Sequence, residues 1–96
     1  MPSYSAVTLA RTTVDVLGWD ALIAPATTSR VELENLGPAD VRYRTVADDS
    51  TTEVLIPVGG IRTLAPYRQA AWRNGDEIGA LQAVGDTTTV LVTWVA

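Results

Sequence analysis

The groups with most chemistry to offer in this 96-residue chain are its carboxylates, because it contains no histidine and no cysteine and its seven basic residues are all arginine. Without imidazole or thiol, the usual general bases, thiolate nucleophiles and zinc sites of the Cys/His type are excluded together. A Ser, Thr or Tyr nucleophile would have only a carboxylate as its base. Acidic pairs occur at Asp48-Asp49 and Asp76-Glu77. A glycosidase holds its two carboxyls about 5–9.5 Å apart across a cleft, whereas adjacent residues on a strand point to opposite faces. Both pairs sit in turn-forming stretches or at a strand start, where acids serve solvation. Calcium is the one metal that an all-oxygen set would suit, and Asp48-Asp49-Ser50-Thr51 lacks the spaced acids of an EF-hand loop. Gly59-Gly60 lies between two strand-like runs rather than ahead of a helix, so it is a turn and not a phosphate cradle. The expectation is a protein that is not an enzyme and that holds no cofactor and no metal.

Charge narrows the partners. The net charge is −4 and the arginines are scattered, whereas a phosphate backbone is met by clustered positive charge; nucleic acid is not expected. The longest nearly apolar run, Val54 to Val58, is far short of the roughly 20 residues that cross a bilayer. Met1-Pro2-Ser3-Tyr4 has neither the basic start nor the apolar run of a signal peptide. The sequence thus reads as one domain, residues 1–96, made in a cytoplasm and with no membrane partner.

Six rings remain as anchors: Trp19, Trp72, Trp94, Tyr4, Tyr43 and Tyr67. Trp94 and Tyr43 are in phase with apolar neighbours and belong to a core. Tyr67 and Trp72 stand in an irregular stretch beside Arg68 and Arg73. Trp, Tyr and Arg together are the composition of an interface hot spot, and of a sugar-stacking platform as well. The plain alternative is that Trp72 plugs one end of the core. With Tyr4 added from the N-terminal segment, the expected partner-binding set is Tyr4, Tyr67, Arg68, Trp72 and Arg73.

The elements that must position these side chains are strands. Thr (13) and Val (12) are abundant and Phe is absent, and no apolar stripe at helical spacing lasts beyond two turns. β-branched side chains fit a pleated, half-buried surface. Val7 and Leu9 differ in parity from Val14 and Val16, which requires a bulge or a break around residues 11–13. Val31 and Leu33 alternate with Glu32 and Glu34, and Val41 and Tyr43 with Arg42 and Arg44. The turn chemistry of 36–40 between these two runs predicts a hairpin over 30–46, with the glutamates facing the arginines across it. Val54, Ile56 and Val58 alternate, then Ile61, Thr63 and Ala65. After the Asn74-Gly75 turn come Ile78, Ala80, Gln82 and Val84. The closing segment Thr88 to Val95 is apolar on both faces and reads as a central strand. Seven or eight short strands at turn spacings of about 8–12 residues predict an all-β, two-sheet antiparallel sandwich of jelly-roll or Greek-key type. About 13 of the apolar residues are alanine, so the core is modest, and association would add to stability.

The runs Asn35 to Arg44, Ile56-Pro57-Val58-Gly59, Trp72-Arg73-Asn74-Gly75-Asp76 and Thr88 to Thr93 together resemble small β-sandwich virion surface proteins of tailed bacteriophages, of the head decoration (cement) and head-fibre type. The resemblance implies a non-enzymatic structural protein of the virion that binds the capsid exterior and stabilises the shell. It further implies the major capsid protein or another virion protein as partner, and a homo-oligomer, a trimer above all. Two alternatives accompany it: a carbohydrate- or receptor-binding module of a phage fibre, and a tail or connector component.

Overall fold

The computed structural model describes residues 8–45, 53–66 and 70–96. Eight strands run in chain order: β1 (Thr8–Val16), β2 (Asp20–Ile23), β3 (Arg30–Gly37), β4 (Val41–Thr45), β5 (Glu53–Ile56), β6 (Ile61–Leu64), β7 (Glu77–Ala83) and β8 (Thr88–Val95). They form two four-stranded sheets, ordered β1-β8-β3-β6 and β2-β7-β4-β5. Every pairing is antiparallel. Eight strands in two such sheets are a jelly roll, so the fold class read from the alternation holds.

The core is what that alternation aims inward. Val31 and Leu33 from β3, Val90, Val92 and Trp94 from β8, and Val41 and Tyr43 from β4 are buried between the sheets with Ile56, Leu81 and Trp72. β8 lies between β1 and β3, the central position expected of a strand apolar on both faces. Tyr43 carries its hydroxyl into the core and donates to the Ile78 carbonyl at 2.8 Å, which answers the polar tip that burial would otherwise strand.

Three local expectations change. The hairpin over 30–46 does not form: β3 and β4 are consecutive but lie in opposite sheets, β3 beside β8 and β6, β4 beside β7 and β5. Glu32 and Glu34 therefore face solvent on one side of the sandwich and Arg42 and Arg44 on the other. Arg44 pairs instead with Glu53 of the neighbouring β5, at 2.7 Å. Turn chemistry marks where a chain reverses, and a reversal between sheets uses the same residues as one within a sheet.

The bulge of the first strand exists, but between Thr8 and Ala10, so that β1 continues unbroken through Arg11-Thr12-Thr13. The seventh strand changes phase near Gly79. Leu81 and Ala83 are its inward residues, while Ala80 and Gln82 face out, with a register shift opposite Leu22 and Ile23. Gly79 itself fits because it has no side chain. A Cβ there would collide with the Arg44 carbonyl and come 2.6 Å from the Tyr43 ring.

Antiparallel order fixes where the connections go. The links β1–β2 (17–19), β3–β4 (38–40), β5–β6 (57–60) and β7–β8 (84–87) all leave from the same end of the sandwich, and each crosses from one sheet to the other. They stand side by side in the order β1–β2, β7–β8, β3–β4, β5–β6, forming one apex. Residues 24–29 and 70–76 belong to the opposite end.

Candidate functional site

The apex is built from short turns, and short turns should be polar. This one is not. Among the described residues eight large apolar side chains are exposed, and four of them lie in the apex connections, Leu17, Trp19, Val58 and Val84, while Leu36 and Ile61 follow on the outer face of the first sheet and Leu55 on that of the second. Leu17, with 66% of its surface exposed, is the most open of these. Scattered single apolar residues on a surface are ordinary, whereas a contiguous group is the mark of an interaction site.

A hydrogen-bonded frame holds the apex in place, and Asn35 is its hub. This side chain is fully buried. Its amide donates to the Ala39 carbonyl at 2.8 Å and the Ile56 carbonyl at 3.0 Å. Its oxygen accepts from the Gly37 N–H at 2.9 Å and from the Thr88 hydroxyl at 2.8 Å. The Asn35 backbone also accepts from Gly59 at 2.7 Å and donates to the Gly60 carbonyl at 3.0 Å. One residue thus ties together the β3–β4 connection, the β5–β6 connection and the start of β8.

Asp40 extends the frame. Its carbonyl accepts from the Val84 N–H at 2.9 Å, and its carboxylate accepts from the Val58 N–H at 3.2 Å. At the far side of the row Asp20 accepts from the Leu17 N–H at 3.1 Å. Gly37, with φ of 92°, lets the chain turn into the cis Gly37-Pro38 bond, where a Cβ would come 2.9 Å from a Val58 methyl. Asp40 and Asp86 lie in the connections and Asp20 adjoins one of them, while Arg42 and Arg62 stand two residues beyond the β3–β4 and β5–β6 connections.

Trp19 leans from the apex over the outer face of the second sheet, where the Arg44 guanidinium stacks 4.1 Å from its ring centroid. Such a stack contributes about 0.5–1 kcal/mol at an exposed position. It also fixes the ring beside the Arg44–Glu53 pair rather than leaving it free.

A second feature opens on the side of the sandwich where β1 and β2, each paired on one edge only among the described residues, lie opposite one another. There a cleft of about 210 Å³ enters between the sheets. Leu22, Leu81, Val92 and Trp94 form its apolar interior, Thr12 and Val14 one wall, and among the described residues Asp20 is the only charged one that lines it.

Of the residues expected to bind a partner, Trp72 and Arg73 are among the described residues. Tyr4, Tyr67 and Arg68 lie outside the described residues, as do Asp48 and Asp49. Trp72 is 5% exposed and belongs to the core. Its backbone makes a two-way bridge with Thr28, donating at 2.8 Å and accepting at 3.0 Å. In this fold the ring closes one end of the sandwich, as the alternative reading had it, and is not presented at the surface. Arg73 is exposed, and its N–H donates to the Asp76 carboxylate at 2.8 Å; Asp76 is accordingly a turn-forming acid. The apex residues were absent from the expected set. The signal available for them was large apolar side chains inside turn motifs, Leu17-Gly18-Trp19 and Pro57-Val58-Gly59-Gly60.

No protein-family model and no curated protein matches the chain. Solved structures do. Hydroxypropylphosphonic acid epoxidase from S. wedmorenis superposes with a TM-score of 0.61 at 16% identity, over 88% of this chain and 41% of that one. Its complex with fosfomycin gives the same score and identity. The cobalt(II) form in complex with Tris buffer gives a TM-score of 0.58 at 19% identity, over 98% of this chain and 54% of that one. The likeness is one of fold. This chain spans about half the length of those proteins or less.

The comparison corrects the functional expectation. The fold shared here is that of an enzyme described with iron(II) and cobalt(II), so a small sandwich of this kind is no mark of a capsid-binding protein. The reading as a phage structural protein is withdrawn, together with its fibre-module and tail-component alternatives.

The metal of those structures does not transfer either. Non-haem iron(II) sites are built from two imidazoles and a carboxylate. This sequence has no histidine, and among the described residues no three of His, Cys, Asp and Glu come together. Among the same residues no helix is long and apolar enough to cross a membrane.

Proposed function

We propose that this chain is a non-catalytic association module that docks through its apex onto an apolar protein surface. The observation that carries this reading is the exposure of Leu17, Trp19, Val58 and Val84 in connections at one end of the sandwich, on a hydrogen-bonded frame. Preorganised turns lose little conformational freedom on binding, which leaves more of the apolar gain as affinity. The donor set supports the absence of catalysis: no imidazole, thiol or ammonium is available as base or nucleophile.

The reading is tested by photo-crosslinking in the cells that produce the protein. A photoreactive phenylalanine analogue at Val58 or Val84 should yield one discrete adduct, and the same group at Arg73, at the opposite end, none. Adding Val58→Asp and Ile61→Asp to the Val84 probe should reduce the adduct by about tenfold or more, the scale of a lost hot spot. Equal adducts from both ends would overturn the assignment of the apex.

A further inference from the structure

The cleft where β1 and β2 stand opposite one another borders the apex and shares Asp20 with it. Its interior is wholly apolar: Leu22, Leu81, Val92 and Trp94 are buried side chains of three different strands. Its volume of about 210 Å³ is below the roughly 300–1,000 Å³ of sites for drug-sized molecules, so it admits one ring or a short chain and little more. Apolar walls alone would take any small hydrocarbon. Asp20 supplies a preference. Of its two carboxylate oxygens, Oδ2 accepts from the Leu17 N–H, and among the described residues Oδ1 accepts no hydrogen bond. No arginine lines the cleft to neutralise the group. Thr12, on the opposite wall, adds a hydroxyl.

We propose that this cleft binds a small primary amine with an apolar body, the body lying against Val92 and Trp94 and the ammonium meeting the Asp20 carboxylate. The chemistry follows from the lining. A carboxylate with an open oxygen favours a cationic donor, because a charge-assisted hydrogen bond is about twice as strong as a neutral one. A carboxylic acid or phosphate would instead meet like charge with no compensating cation. Trp94 adds apolar area and a π-face toward which a cation is attracted. Asp20 has a structural duty as well, in the β1–β2 turn, and asparagine can perform that duty through its own side-chain oxygen.

Two probes of matched shape separate the contributions: benzylamine and benzyl alcohol, titrated at neutral pH into the isotope-labelled chain. The readout is the movement of backbone amide resonances of β2 and β8 and of the Trp94 indole N–H. Benzylamine should saturate these shifts in the millimolar range and bind about fivefold more tightly than benzyl alcohol. Asp20→Asn should erase that difference while leaving alcohol binding in place, its otherwise unchanged spectrum showing that the turn is kept. Thr12→Phe, which fills the cleft from an exposed position, should abolish both. Equal affinities for the two probes, no saturable shift with benzylamine, or shifts that survive Thr12→Phe would each overturn the proposal.

Discussion

Trp72 and Asp20 illustrate how the same kind of side chain takes its role from its surroundings. Trp72, between two arginine-bearing stretches, has the composition of a contact residue, yet it is buried and its backbone is bridged to Thr28. Removing such a ring leaves a cavity that a sandwich end cannot collapse around. Trp72→Ala should therefore cost about 3–5 kcal/mol of stability, read as a shift in denaturant midpoint at unchanged slope. A loss below about 1 kcal/mol would mean that the ring does not pack as described. The Arg44–Glu53 pair is the opposite case. Both side chains are about 40% exposed, and pairs of that kind contribute between nothing and about 1 kcal/mol.

The strands and their connections are held by one polar side chain in particular. Asn35 alternates with Val31 and Leu33 and so points inward from β3. Its buried amide is tolerated because all its hydrogen bonds are made by groups of the apex. Asn35→Leu keeps the branched outline but leaves the Ala39 and Ile56 carbonyls and the Gly37 N–H without that partner, at about 1–3 kcal/mol for each group left unsatisfied. The expected result is a destabilisation of at least about 3 kcal/mol, with hydrogen exchange accelerated first at Gly37 and Gly59. Uniform acceleration throughout the sheets would mean that the apex is not held by this residue. Much of this element was legible beforehand. The parity of β3 places Asn35 inside, and the Leu36-Gly37-Pro38 run marks the turn. What the turn residues did not carry was the destination of the next strand, so Arg42 and Arg44 were expected opposite Glu32 and Glu34.

For the molecule as a whole, the jelly-roll order joins the ends of the chain. β1 pairs with β8, Thr8 opposite Val95, and β3 fills the other side of β8 from the middle of the sequence. Pairings this distant must close long loops before they gain contacts. Refolding from denaturant, followed by tryptophan fluorescence, should accordingly take milliseconds to seconds; a submillisecond phase carrying the whole amplitude would contradict the topology. The same order collects the four inter-sheet turns at one end and makes β1 and β2 the facing outermost strands among the described residues. The apex and the cleft both arise there, from residues as far apart in sequence as Leu17 and Val84, or Thr12 and Trp94.

Taken alone, the sequence determined the all-β class, most strand positions, the inward faces of β3, β4 and β8, and the absence of imidazole and thiol chemistry. These are local properties: alternation has a period of two, and residue types are simply present or missing. Tertiary structure alone decided which strands are neighbours, that Trp72 is core, and that apolar turn residues from three separate connections lie at one end of the sandwich. Strand pairing is a choice among distant partners with similar patterns, settled by packing the two sheets together, and no short window of sequence contains both sides of it.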